Sequence, residues 1–333
     1  MGVVDVSGLR KVYQVKRKSP GLLGSVRSLW HPDVASLTAV DSITFHIDPG
    51  EAVGFIGPNG AGKSTTIKML TGILHPTSGD ATVLGMVPWR QRQHLAFRVA
   101  SVFGQRSQLW YHLPPSDSFS LLARIYELDH SDYASRVDQL VKRFDIEQYL
   151  DVPVRRLSLG ERMRCEIAAA LLHRPEVVFL DEPTIGLDVV AKQQIRAMIR
   201  ELNLDDGVTF LLTSHDAGDI EQVCRRVIVI NHGAIVFDDR VDELKRTFLR
   251  RKIIDLKLAV ETASVNLSGV RVVDAQPFRI RLEADTDVVP IERTIGSLVA
   301  ACPVADLTVE EPPLDEVIAA IYAATRPAAA GER

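Results

Sequence analysis

The stretch AVGFIGPNGAGKSTTIKML occupies residues 52–70. Its first five residues, Ala52–Ile56, are apolar on both alternating faces, the pattern of a strand buried inside a parallel sheet. They run directly into Gly57-Pro58-Asn59-Gly60-Ala61-Gly62-Lys63-Ser64-Thr65, which fits G-x-x-x-x-G-K-[ST]. Glycines there let the backbone curl until successive N–H groups face a polyphosphate. The helix that follows, read as Lys63 to about Leu74, adds the positive end of its dipole. Lys63 is suited to neutralise β- and γ-phosphates, and the Ser64 hydroxyl to ligate Mg²⁺. A plain glycine-rich turn would not need to sit between an apolar strand and a helix.

Further along, Val177-Val178-Phe179-Leu180 ends in Asp181-Glu182. A buried strand delivers both acids at its C-terminal end, where α/β sheets bind their ligands. Asp181 would hold Mg²⁺, partly through water, and Glu182 would act as general base on an attacking water. Alone, this is also a strand followed by an acidic turn; the phosphate loop upstream favours the chemical reading. Between the two lies Leu157-Ser158-Leu159-Gly160-Glu161. Ser158 with Glu161 three residues on is a capping box at a helix start. Such an N-terminus, with free N–H groups and a hydroxyl, is an anion site, and this one has no phosphate of its own to bind.

Around these motifs the chain alternates apolar strands and amphipathic helices, which implies a parallel α/β sheet. Residues 1–14 read as a strand, 16–36 as an insert, and 115–175 as mainly helical. Asn231-His232-Gly233 reads as a hairpin turn. From 249 to 325 the texture shifts to a small α+β domain. Strand-like Ile253–Leu258 and Arg279–Glu283 alternate there with two short helices. One helix places Ile291, Ile295, Leu298, Val299 and Cys302 on one face, and the other Leu314, Val317, Ile318, Ile321 and Tyr322. Residues 326–333 read as a disordered tail.

Composition narrows the classes. Lys and Arg number 39 against 43 Asp and Glu, a formal charge of −4, which argues against nucleic acid as main partner. The three cysteines, Cys165, Cys224 and Cys302, lack metal-site or disulfide spacing and read as buried thiols. No apolar run approaches the ~20 residues of a membrane span. No signal-peptide pattern opens the chain. A cytoplasmic location, peripheral to any membrane, is expected.

The ordered set of Gly57–Thr65, Phe103-Gly104-Gln105, LSLGE at 157–161, VVFLDEP at 177–183, Ile185-Gly186-Leu187-Asp188 and Thr213-Ser214-His215 resembles the ATP-binding cassette (ABC) ATPases over residues 3–245. The resemblance implies a P-loop NTPase cassette, residues 1–248, with a RecA-like core, an antiparallel β-subdomain and a helical subdomain at about 106–170. It implies ATP and Mg²⁺ as ligands and a head-to-tail homodimer of cassettes. In that dimer Ser158 and Gly160 of one subunit would meet the γ-phosphate on the other's Walker A loop. Gln105 would sense Mg²⁺ and water, Asp188 would communicate across the dimer, His215 would help position the water, and Tyr13 would stack on adenine. Each has a plainer rival: a surface loop for Gln105, a satisfied histidine for His215, a core aromatic for Tyr13. The signature departs from the common LSGGQ at Leu159 and Glu161, and Glu161 places a negative charge near a phosphate site unless it is paired or turned away.

Residues 57–80 and 157–192, with a C-terminal domain ending in PLDEVIAAIY, resemble cassettes of ABC-2-type exporters, including the daunorubicin-resistance-like branch. That implies docking on ABC-2-type transmembrane permease subunits at the inner face of the cell membrane. The insert's Leu22, Leu23, Val26, Leu29 and Trp30 can form an apolar face for the permease, for lipid headgroups or for the cassette itself. Leu109, Trp110, Tyr111, Leu113 and Pro114 form a second permease-contact candidate. The other function open to the family is a soluble ATPase acting on ribosomes or DNA. Those usually carry two cassettes, a coiled coil or a basic arm, none of which is present.

Overall fold

The computed structural model describes residues 2–17, 33–104, 107–248, 251–260, 267–286, 288–310, 317–318 and 321–322. It divides into two compact units, Met1–Asp239 and Arg240–Arg333. The first opens with β1 (Val4–Arg17), β2 (Asp33–Ile47) and β3 (Ala52–Ile56), then α1 (Lys63–Leu70), β4 (Ser78–Val83), α2 (Arg92–Ala96) and β5 (Val99–Phe103). Three helices follow, α3 (Pro115–Ile125), α4 (His130–Phe144) and α5 (Leu159–Ala170). The chain then runs through β6 (Val177–Asp181), α6 (Val189–Asp206), β7 (Thr209–Ser214), α7 (Ala217–Val223), β8 (Arg226–Asn231) and β9 (Ala234–Arg240).

Six of these strands form one sheet in the order β5-β6-β7-β3-β8-β9. The β5–β6, β6–β7, β3–β7 and β3–β8 pairs are parallel. Register aligns their C-terminal ends: Phe103 opposite Asp181, Asp181 opposite Thr213, Ile56 opposite Ser214. Ile56, Phe103, Asp181 and Ser214 therefore deliver four loops to one edge, where ligands bind in such sheets. A second, antiparallel sheet, β2-β1-β4, covers α1. Fully buried Leu9, Ile43, Ile47, Phe55, Ile67 and Leu70 join the two sheets, each burial stabilising by about 1.5–3 kcal/mol.

Three boundaries differ from the sequence reading, the first being that the second unit begins at Arg240 rather than at 249. Helix α1 stops at Leu70, not Leu74. Thr71 Oγ1 donates to Ile67 O at 2.9 Å, Gly72 adopts φ 71°, and the Ile73 and Leu74 N–H groups both turn back to Lys68 O at 2.8 Å. That is a glycine-terminated C-cap. The 16–36 stretch begins and ends as strand, with Lys16 opposite Val34 and Arg17 opposite Asp33. The apolar face proposed at Leu22–Trp30 lies outside the described residues.

The second unit contains α8 (Val241–Phe248), β10 (Arg251–Leu258), β11 (Val270–Gln276), β12 (Arg279–Asp285), α9 (Ile291–Ala301) and β13 (Val304–Glu310). Its antiparallel sheet has the order β11-β12-β10-β13. Ile254, Leu256, Leu258, Ile280, Leu282, Ala284, Leu298 and Cys302 make its core. On α9 the buried side chains are Thr294 and Leu298, whereas Val299 is 55% exposed. The 291, 295, 298, 302 stripe turns away from position 299. Thr294 is accommodated because its hydroxyl donates to Pro290 O at 3.3 Å. Of the last helix face, Val317, Ile318 and Ile321 are buried, and Leu314 lies outside the described residues.

Candidate active site

The loop between β3 and α1 is shaped by what its glycines leave out. A Cβ on Gly57 would stand 2.4 Å from Ile230 O, and one on Gly62 2.4 Å from Ala39 O. Gly60 and Gly62 have φ 81° and 109°, a region costly to other residues. Around this loop lies a cavity of about 690 Å³. It is lined by Asn59 through Thr65, by Asp181 and Glu182, by Phe103 and Gly104, and at the β1–β2 side by Tyr13 and Leu37. Tyr13 and Leu37 face each other across the strand pair, with Lys11 Nζ 5.3 Å from the tyrosine ring.

Lys63 is 5% exposed. Its Nζ donates to Gly57 O at 2.6 Å and to Pro58 O at 3.3 Å, and lies 3.8 Å from Glu182 Oε1. Burial pulls its pKa down, and the Glu182 and Asp181 carboxylates pull it back up. Ser64 Oγ donates to Asp181 Oδ1 at 3.1 Å. The same oxygen accepts from Thr213 Oγ1 at 2.7 Å. A hydroxyl and a carboxylate so placed are the hard oxygen donors that Mg²⁺ takes alongside substrate phosphates.

Glu182 adopts φ 54°, a left-handed conformation that costs a non-glycine residue about 1–3 kcal/mol and persists only where its surroundings impose it. Its N–H donates to Thr213 Oγ1 and Thr213 O, both at 3.1 Å. The chain also passes so close to Gly104 that a Cβ there would lie 2.2 Å from Glu182 O. His215 Nδ1 stands 3.6 Å from Glu182 Oε2, with the imidazole side chain 54% exposed. Gln105 lies outside the described residues.

The signature segment stands elsewhere. Ser158, Leu159, Gly160, Glu161, Leu187, Asp188 and neighbours line a separate depression of about 260 Å³, and it shares no residue with the phosphate-loop cavity. Ser158 caps α5 and the box is reciprocal: Glu161 N donates to Ser158 Oγ at 3.3 Å and Ser158 N to Glu161 Oε2 at 2.8 Å. The Ser158 N–H, with lesser help from the Ser158 and Tyr149 hydroxyls and Arg164, holds the Glu161 carboxyl below its ordinary value. The charge that threatened a phosphate is thus spent on its own helix start. A Cβ on Gly160 would meet Ala191 Cβ at 2.9 Å, so the signature loop lies against the start of α6. Asp188 caps that helix, accepting from Ala191 N at 2.9 Å.

Sequence similarity runs through both sets of residues. The family described as ABC transporter matches residues 40–185. The daunorubicin resistance ATP-binding protein DrrA3 of Streptomyces coeruleorubidus is 32% identical over 289 residues, 84% of this chain and 89% of that one. The chain belongs to the ABC transporter ATP-binding family.

The Nod factor export ATP-binding protein I of Paraburkholderia xenovorans (strain LB400) is 32% identical over 265 residues, 75% of this chain and 86% of that protein. A solved ATP-binding subunit of an ABC transporter superposes with a TM-score of 0.61 at 25% identity, covering 74% of this chain and 92% of that one. This ABC protein is therefore an ATP-binding and ATP-hydrolysing subunit, of the kind that forms cassette dimers and works with membrane permeases. Among its described residues no helix is long and apolar enough to cross a membrane. Reading the motifs missed two parts of the ABC site. Thr213 was seen only as part of Thr213-Ser214-His215, although its hydroxyl fixes Asp181 and the Glu182 backbone together. Gly104 was seen only as the neighbour of Gln105. A threonine beside the C-terminal end of β7, next to apolar Phe210, Leu211 and Leu212, was the available signal for Thr213; Gly104 gave none.

Proposed function

We propose that two copies of this chain close head to tail on two ATP molecules and use them to drive an ABC-2-type exporter permease. The observation that carries the proposal is the separation of the phosphate-binding groups. Lys63, Ser64, Asp181 and Glu182 line one cavity, and Ser158 and Gly160, at a helix start with no phosphate of its own, line another. A second copy, turned head to tail, brings one kind of surface against the other.

In this scheme Asn59 through Thr65 cradle the polyphosphate with backbone N–H groups, and Lys63 turns its nitrogen from Gly57 O toward the β- and γ-phosphates. Ser64 and Asp181 would hold Mg²⁺, which would neutralise phosphate charge, and Gln105 would be the residue that senses the ion and the water. Tyr13 stacks on the adenine. Glu182 accepts the proton of the attacking water as its oxygen bonds to the γ-phosphorus and the bridging P–O bond to ADP breaks. His215, beside Glu182, contacts the γ-phosphate. Ser158 Oγ and the α5 N-terminus of the partner complete the phosphate's shell, with Asp188 beside them.

Export is supported by the relatives named for drug resistance and for Nod factor export. Trp110, Tyr111 and Leu113, exposed by 39%, 54% and 41%, supply an apolar surface for a permease, since exposed aromatic clusters suit interfaces. The protein then sits on the cytoplasmic face of the membrane through its permease. The test is a pull-down of tagged Glu182→Gln chain with ATP from detergent-solubilised membranes. One or two multi-span partners are expected; ribosomes or nucleic acid in their place would overturn the proposal.

A further inference from the structure

Asp219 has no exposed surface, and the hydrolysis scheme does not use it. Thr184 Oγ1 donates to its Oδ2 at 2.5 Å and Ser214 Oγ at 2.6 Å. Arg196 approaches Oδ1 with Nε at 2.6 Å and a terminal guanidinium nitrogen at 2.6 Å. A buried charge survives only when paired and hydrogen-bonded, and these donors come from three different places. Thr184 belongs to the turn just after Glu182, Ser214 immediately precedes His215, and Arg196 projects from the middle of α6. One turn earlier on α6, Lys192 Nζ donates to Asp216 Oδ2 at 2.5 Å, and Arg196 lies 3.2 Å from the same oxygen. Asp216 directly follows His215 and caps α7, accepting from Gly218 N at 2.9 Å.

Asp188, Lys192 and Arg196 are spaced i, i+4, i+8, which sets them along one side of α6. The first caps the helix beside the signature depression. The other two grip the loop that carries His215. Over those residues a helix is a rod about 12 Å long, so its capped end and its gripping side move as one body.

We propose that Arg196 and Asp219 are positioning residues that tie Asp188, on the face turned to the partner cassette, to His215 at the chain's own ATP site. The inference rests on the hydrolysis scheme above. Contact at Asp188 sets the pose of α6, α6 sets Asp216 and Asp219 through the clasp, and these set His215 beside Glu182. Each ATP site thereby feels whether the other half of the dimer is in place. Lysine does not replace arginine here, because a single ammonium cannot present the two-pronged contact to Asp219 and reach Asp216 as well.

The experiment is a double-mutant cycle on ATP hydrolysis by the purified full chain: wild type, Asp188→Ala, Arg196→Lys and the double variant. ATP affinity (by a fluorescent ATP analogue) and thermal melting are measured on the same proteins, with Glu182→Gln alongside. Arg196→Lys keeps a cation against the buried carboxylate. Each single variant is expected to lower kcat about tenfold with analogue affinity within about twofold, and the double variant to be no slower than the slower single, because both cut one link. A double variant slowed about a hundredfold, the product of the singles, would mean independent action and overturn the inference. So would a fall in kcat that tracks a fall in melting temperature or in affinity. If Arg196→Lys does not fold, Lys192→Met replaces it in the cycle, removing only the grip on Asp216. An inactive Glu182→Gln beside multiplicative defects sinks the clasp alone, whereas near-normal hydrolysis by Glu182→Gln removes the scheme on which it rests.

Discussion

The phosphate-loop cavity and the signature depression both offer a helix N-terminus to an anion, and they differ in almost everything else. The first is about 690 Å³, walled by buried Lys63, by Ser64 and by the carboxylates of Asp181 and Glu182. Lys63, Asp181 and Glu182 are already engaged with neighbouring side chains and loop carbonyls, so the two acids are placed before any ligand arrives. The second is about 260 Å³, and its lining includes Val190 at 64% exposure. Its two acids, Glu161 and Asp188, are each engaged at the start of their own helix. In the proposed scheme one surface holds the polyphosphate and the other is presented to the site of a second copy. On that scheme the catalytic unit of this ATPase is larger than the chain.

The largest expected effect breaks the comparison on the cavity side. Glu182→Gln should slow ATP turnover at least about 10²-fold, the low end for a lost general base, while leaving ATP binding intact. Steady-state hydrolysis paired with equilibrium binding checks it, and near-normal turnover would refute the role given to Glu182. Next comes the signature side. Ser158→Ala should lower kcat about tenfold, the worth of one hydrogen bond to a charged group, and cost about 1 kcal/mol as a lost N-cap. Because Ser158 lies outside the chain's own ATP cavity, nucleotide affinity of the monomer should not change. If that affinity falls instead, the two surfaces are not separate in function.

The smallest effect concerns Glu161. Its carboxyl is held below the ordinary glutamate value. Its contribution is therefore fully present above that ordinary value and is lost as pH falls through the lower folded one. Glu161→Gln keeps the box but not the charge, so near neutral pH it should cost about 0.5 kcal/mol, the scale of a carboxylate at a helix start. Melting curves of the two proteins from about pH 7 to about pH 3 should converge toward the acid end. A gap that stays constant would mean the charge contributes nothing to the cap.

What could be read in advance, and what could not, divides by distance along the chain. The strand-loop-helix at 52–70 is legible because every part of it is local: apolar residues, glycines and a lysine within one turn of each other. The capping box at 158–161 is legible for the same reason. The end of α1 was misjudged by four residues because apolar Ile73 and Leu74 continue its composition, while Gly72 ends its hydrogen bonding. Strands β11 and β13 escaped notice because they are sheet edges with both faces largely exposed, so no apolar alternation marks them. Val299 was given to a core that takes Thr294 instead, since periodicity reports a stripe but not which way it is rolled.

A phosphate cradle, a carboxylate pair at a strand end, a capped signature helix and the family to which that order belongs are all legible in the amino-acid sequence. Each of those is written in neighbouring residues whose chemistry does not depend on distant ones. Packing between distant segments settles that the cradle and the signature line separate cavities and that Thr213 fixes Asp181 and Glu182. The fold alone shows that Glu161 is bonded back to its own helix start and that Arg196 and Asp219 join segments 23 residues apart. Parallel strands bring remote loops to one edge, and which side chains then meet is set by register and packing, which no single stretch of sequence contains.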